Sequence, residues 1–316
     1  MPDRLAWLLT AAGLAFASSA ALAQPSPVQP GAAPADKPPP TLVAPVTVEA
    51  APTPKMIRRQ AQGFVRHFPP ERNGEHYQIA RWRDPVCVKV TGLQDAQAAA
   101  IKARIEGVAQ AVGVRSARAA CTANVEIAFT DRPQALMDGV AKRAELLLGY
   151  YHLHDRDRLK RVTRPVQAWY VTAASPWAGR EAIDDPESHS PIGCGDDPGV
   201  LRCGIQTVFK NVLVVADAKA LQGQDAGLLS DYLVMLTLSQ PRSLDGCNTL
   251  ASVIDVLAPS ACSGRDVPDG LTSSDAAYLT ALYAADPYNN KNFEQSDVWR
   301  RMADILIKAS APGGRP

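Results

Sequence analysis

In this chain of 316 residues the side chains equipped for chemistry are few: six cysteines, five histidines and some clustered carboxylates. His152 and His154 stand two apart in Tyr150-Tyr151-His152-Leu153-His154-Asp155, which puts both imidazoles on one side of an extended segment, close to Asp155 and Asp157. Imidazole and carboxylate are ordinary ligands of borderline cations, so His152 and His154 read either as a metal site or as a solvated polar connection. Asp184-Asp185 and Asp196-Asp197 offer oxygen ligands for calcium but lack the alternating Asp order and terminal Glu of a calcium loop, which favours plain turn carboxylates. Asp231 is the one charged side chain in the apolar run from Gly227 to Gln240. Such a setting suits a general acid or base, with Asp217 as a second carboxylate near the same cleft. Equally, Asp231 faces solvent or caps the helix start. No G-x-S-x-G and no Gly-rich phosphate loop occur, so serine hydrolysis and nucleotide use have no visible basis.

Tyr283, Tyr288, Phe293 and Trp299 are a local concentration of aromatics broken by Asn289, Asn290 and Asn292, which reads either as a peptide- or glycan-binding surface or as packing for a terminal helix. The cysteines are Cys87, Cys121, Cys194, Cys203, Cys247 and Cys262. An even count in an exported chain reads as a disulfide framework. Short-loop logic pairs Cys194 with Cys203 and Cys247 with Cys262, leaving Cys87 and Cys121 to flank a helix. Zinc is the rival use, but there is no C-x-x-C pair.

Export is expected from the N-terminus. Residues 1–23 have a short charged start, an apolar run from Leu5 to Ala17 and a small-x-small ending at Ala21-Leu22-Ala23, the pattern of a secretory signal cleaved after Ala23. The apolar run is shorter than the roughly 20 residues a membrane span needs, so no transmembrane segment is expected after cleavage. Residues 24–55 are rich in Pro and Ala and read as a disordered, solvated tether. Residues 56–316 then fit a single globular domain, periplasmic or secreted. A formal net charge of +1 with interleaved signs argues against nucleic acid as a partner.

Periodicity supplies the elements that must position these groups. Strands are expected at 85–90, 123–129, 166–171 and 212–216, the last apolar on both faces and therefore central in a sheet. A helix opening at Thr91-Gly92-Leu93-Gln94 buries Ile101, Ile105, Val108, Ala109 and Val112, and another spans about 132–148. A Gly-, Pro- and Asp-rich excursion over 174–204 reads as a surface loop. Residues 227–240 form a helix that is apolar almost all round and hence buried. Thr272 and Asp275 make a capping box for a further helix, and an amphipathic helix through Val298, Met302, Ile305 and Leu306 closes the chain.

The order strand, helix, strand, strand, strand, buried helix, turn, terminal helix resembles the catalytic domain of matrixin-type zincin metallopeptidases. Ser252-Val253-Ile254-Asp255 stands where that family has its turn, and Leu271-Thr272-Ser273-Ser274-Asp275 with Ala281-Leu282-Tyr283 resembles its L-T-x-x-D helix. The resemblance implies an α+β fold: a zincin-like mixed sheet of about four or five strands, a buried central helix and a C-terminal helical part. It also implies a lost activity. In the matching register the H-E-x-x-H positions read Asp231-Tyr232-Leu233-Val234-Met235, and all five histidines precede this helix. The chain therefore resembles a degenerate zincin, like uncharacterised exported proteobacterial proteins of the same pattern. The expectation is a non-catalytic binding or scaffold domain without a cofactor, whose partner is a peptide or a periplasmic protein; the alternative is a hydrolase of peptides or cell-wall fragments using a non-zinc site near Asp231.

Overall fold

The computed structural model describes residues 52–69, 71–72, 75–76, 78–118, 120–149, 156–177, 182–183, 204–244, 246–258, 262 and 266–311. The signal, most of the tether, Cys194, Cys203 and the His152/His154 pair lie outside them. From Ala51 onward the chain forms one compact unit. In chain order the elements are α1 (Pro54–Val65), β1 (Glu71–Arg72), β2 (Glu75–His76), β3 (Val88–Thr91), α2 (Asp95–Ala111), β4 (Val125–Thr130), α3 (Pro133–Arg143), α4 (Arg156–Leu159), β5 (Val166–Pro176), β6 (Ala182–Ile183), β7 (Ile205–Asp217), α5 (Ala226–Leu238), α6 (Ser273–Ala284) and α7 (Lys291–Ser310). Short 3₁₀ turns cover Glu145–Leu148 and Val253–Leu257.

The main sheet is mixed, with strand order β3-β4-β7-β5-β6. Strands β3, β4 and β7 are parallel, and β5 and β6 each run antiparallel to their neighbour. β7 is central because it can bury both faces: Val212, Val214 and Ala216 join the larger core with α2, α5 and α6, while Leu213 and Val215 join a smaller core with Met137 and Ala141 of α3 and Trp169 of β5. The fold is α+β, as expected, and several boundaries move. The 132–148 helix ends at Arg143 and continues as a 3₁₀ turn. Thr91 belongs to β3, and the following helix starts after Gln94, whose amide donates to Gln97 Oε1 at 3.4 Å. The expected 174–204 loop begins later, since β5 pairs with β7 as far as Pro176 opposite Ile205, while its end matches the start of β7.

Helix α1 begins at Pro54, inside the stretch read as tether, with Thr53 as its N-cap. It buries Ile57, Ala61, Phe64 and Val65 against the C-terminal helices, and the Phe64 ring lies 5.7 Å from that of Tyr278. Two disulfides fall among the described residues, Cys87–Cys121 around α2 and Cys247–Cys262, both as expected. No described helix is long and apolar enough to cross a membrane.

A buried ion pair fastens the segment before β3 to the C-terminal helices. Arg81 is 5% exposed and Glu294 of α7 is 1% exposed. The Arg81 guanidinium donates to Glu294, to Leu282 O at 2.8 Å and to Ala285 O at 3.1 Å, while the amide of Ile79 donates to the second carboxylate oxygen at 2.8 Å. Burial pushes the Glu294 carboxyl up to about 7, from the ordinary 4.5, against the opposing pull of Arg81. Between those values the folded chain holds a proton that the unfolded chain has released. The stability contributed by this carboxyl is therefore complete at acid pH and is lost as pH rises toward 7. Thermal melts from about pH 5 to about pH 8 are expected to fall more steeply for the native chain than for Glu294→Gln. Arg81→Met, which leaves the carboxyl without its counter-charge, is expected to cost about 3–5 kcal/mol in denaturant titrations.

Candidate functional site

Helix α5 is buried without interruption from Ser230 to Leu238. A helix in that position must satisfy every polar group internally, including the carbonyls its last turn leaves unpaired. Asp225 caps its start, accepting from Leu228 N at 2.8 Å. Its end is closed by aromatic side chains from three directions: Tyr170 Oη of β5 donates to Leu236 O at 2.9 Å, Trp82 Nε1 to Thr237 O at 2.7 Å, and Tyr283 Oη of α6 to Leu238 O at 2.8 Å. Ser230 and Thr237 hydroxyls turn back onto the carbonyls of Ala226 and Leu233.

Asp231 neither faces solvent nor caps the helix start. Only 7% exposed, it accepts from Arg104 Nε of α2 at 2.5 Å and from the amide of Leu271 at 2.8 Å. A Cβ on Gly270 would fall 2.8 Å from Asp231 Oδ2, so the chain passes this carboxylate through a residue without a side chain. Both carboxylate oxygens are thus engaged in holding α2, α5 and the approach to α6 together. Hydrogen bonding to Asp231 holds the Arg104 guanidinium above its ordinary value, which keeps it cationic. Asp217 sits elsewhere, at the end of β7, where its Oδ1 accepts from Lys219 N at 2.9 Å and Ala220 N at 3.2 Å in the following turn. The two carboxylates share no partner.

Downstream, the Ser252 turn and the Thr272–Asp275 box meet. Asp275, fully buried, accepts from Ser252 Oγ at 2.5 Å, Val253 N at 2.9 Å, Thr272 N at 3.0 Å and Thr272 Oγ1 at 2.8 Å. Desolvation raises its carboxyl above the ordinary value in spite of these donors. The same turn is held from its other side by Asp255, which accepts from Asn248 N and Nδ2, next to the Cys247–Cys262 bridge. One knot of hydrogen bonds thereby joins the turn to α6 beside α5.

Among the described residues no group of three or more His, Cys, Asp or Glu side chains is placed to hold a metal ion. Position 235, one helical turn from Asp231, is Met235 with no exposed surface. His67 lies after α1, where burial and then the Arg242 cation lower its imidazole below the ordinary value. His152, His154, Asp184, Asp185, Asp196 and Asp197 fall outside the described residues. The four clustered aromatics take different places. Tyr283 caps α5, Tyr288 Oη accepts from Gln206 Nε2 at 3.0 Å, Phe293 is 44% exposed, and Trp299 packs partly buried against the core. Sequence reasoning missed Arg104 and the helix-closing role of Trp82 and Tyr170; a lone Arg between the buried Ile101 and Ile105 was the available signal.

Comparison with family models, with curated proteins and with solved structures returns no match. The site therefore rests on its own geometry. Asp275→Ala strips four donors of one acceptor and is expected to cost about 3 kcal/mol, against about 1 kcal/mol for Ser252→Ala. A double-mutant cycle between the two should give clearly less than the sum, and additive losses would mean that the turn and helix are not joined through this carboxylate.

Proposed function

We propose that the chain is an exported, non-catalytic domain of zincin-like type that binds an extended peptide or a periplasmic protein. The observation that carries this reading is the pairing of the two motifs behind the resemblance. The Ser252 turn is tied to the Thr272–Asp275 helix by Asp275, beside a buried helix that offers Asp231 and Met235 at the two positions where a zinc hydrolase needs imidazoles. Zinc chemistry also needs an open coordination position at the metal, whereas Met235 has no exposed surface. The occupied state of Asp231, held by Arg104 and Leu271, weighs against its use as a general acid or base.

Binding without catalysis is available to such a fold through the sheet edge. A peptide strand added beside β5 gains main-chain hydrogen bonds and requires no metal; among the described residues β6 pairs with only Ala173 and Ala174 of that strand. Two disulfides are in keeping with an oxidising compartment.

Purified protein dialysed without chelator is expected to hold no stoichiometric zinc by elemental analysis; a full equivalent retained would overturn the reading. Peptides and peptidoglycan fragments are expected to be left uncut with or without chelator. Turnover that disappears in Asp231→Asn would establish the hydrolase instead.

A further inference from the structure

The sheet face opposite α5 carries a second feature. There the C-terminal end of α3, the 3₁₀ turn Glu145–Leu148 and α4 enclose a groove of about 1060 Å³. Its lining includes Ala141, Ala144 and Leu147, and the smaller core lies beneath it, with Ala141 and Leu148 buried against Trp169 and Leu213. Lys142, Arg143, Arg156 and Lys160 also line it. Leu146, at the same groove, is 61% exposed.

The charge here departs from that of the whole chain. Residues 142–164 hold seven basic side chains against three acidic ones, in a protein of formal net charge +1. Lys160 is partnered by Asp157 at 2.8 Å. Among the described residues, no carboxylate lies within ion-pair distance of Lys142, Arg143 or Arg156. Lined by Lys142, Arg143, Arg156 and Lys160 against Asp138 and Glu145, the apolar, concave surface carries an excess of positive charge and complements a ligand that carries carboxylates and apolar groups together.

We propose that this groove docks an acidic peptide segment of a partner protein, with an apolar residue seated over Ala144 and Leu147 and its carboxylates facing Lys142, Arg143 and Arg156. Three features select that occupant. The apolar surface is concave, so a flat bilayer surface meets the exposed Leu146 without filling the recess. Asp138 and Glu145 also line the groove, which opposes a ligand of unbroken negative charge such as a nucleic acid. An alternating acidic and apolar peptide can set carboxylates against the cations and apolar side chains against the lining. The site lies across the sheet from α5 and does not depend on the function proposed above.

The test uses the full chain and a fluorescently labelled short peptide of alternating Asp and Leu, read by anisotropy, with a poly-Asp peptide and phosphatidylglycerol vesicles as the other arms. Saturable binding of the Asp-Leu peptide that weakens as salt is raised is expected, with weaker binding of poly-Asp. The double reversal Lys142→Glu with Arg156→Glu, at two exposed positions, should weaken it by about tenfold or more while the thermal melt stays unchanged. Lys89→Glu, on the far edge of the sheet, should leave it intact. Leu146→Ser is expected to weaken it less than the charge reversal. Binding that the double reversal leaves unaltered, no binding of the Asp-Leu peptide, or association with the vesicles alone would each overturn the proposal.

Discussion

Burying α5 from Ser230 through its C-terminal end at Leu238 is the constraint on which the rest of the structure depends. An apolar helix packs readily, but the carbonyls of its last turn enter the interior with it, and each one left unpaired is costly. The protein meets this with side chains from distant parts of the chain, Tyr170, Trp82 and Tyr283, while the exposed start is capped locally by Asp225. Because those three aromatics come from β5, from the segment before β3 and from α6, closing one helix also fixes the relative placement of the sheet and the C-terminal helices. The bulk of the core then fills in around it, with Leu233, Met235 and Leu236 almost wholly enclosed.

The same constraint decides what the middle of α5 can do. A carboxylate at position 231 is tolerated because Arg104 and the Leu271 amide both reach it, and Gly270 gives the chain room to pass. That is a structural use of charge: a buried carboxylate with good partners specifies where α2 and the approach to α6 must lie. Asp275 does the same for the Ser252 turn, and Glu294 for the segment around Arg81. Three acidic residues, each at least nine-tenths buried, therefore act as fasteners between elements that are far apart in sequence.

Much of this architecture was legible in the residues. The two-sided apolar run at Val212–Ala216 placed β7 in the centre, and the Thr272–Asp275 spacing located the start of α6 to the residue. The Cys247–Cys262 pairing followed from loop length, and Cys87–Cys121 followed as the remaining pair around a helix. What stayed hidden was long-range. Nothing in Thr53-Pro54-Lys55 sets it apart from the proline-rich stretch before it, yet Phe64 and Val65 find a core that only the last helices complete. The partners of Asp231 were equally invisible, since Arg104 stands 127 residues away and pattern reading registers only neighbours along one element. Tyr283 follows the packing alternative of the aromatic cluster, but its exact role, a hydroxyl that closes α5, was not legible.

The docking of α1 against α7 bears on how the chain is made. The first and last described helices share a surface, with Arg58 and Asp304 3.5 Å apart across it. During vectorial synthesis the apolar side of α1 emerges early and is not fully covered until Thr249, Tyr278 of α6 and finally α7 have followed. Completion of the domain is thus a late, all-at-once event, and a chain truncated before α7 leaves a sticky amphipathic stretch at its front for a chaperone or protease to find.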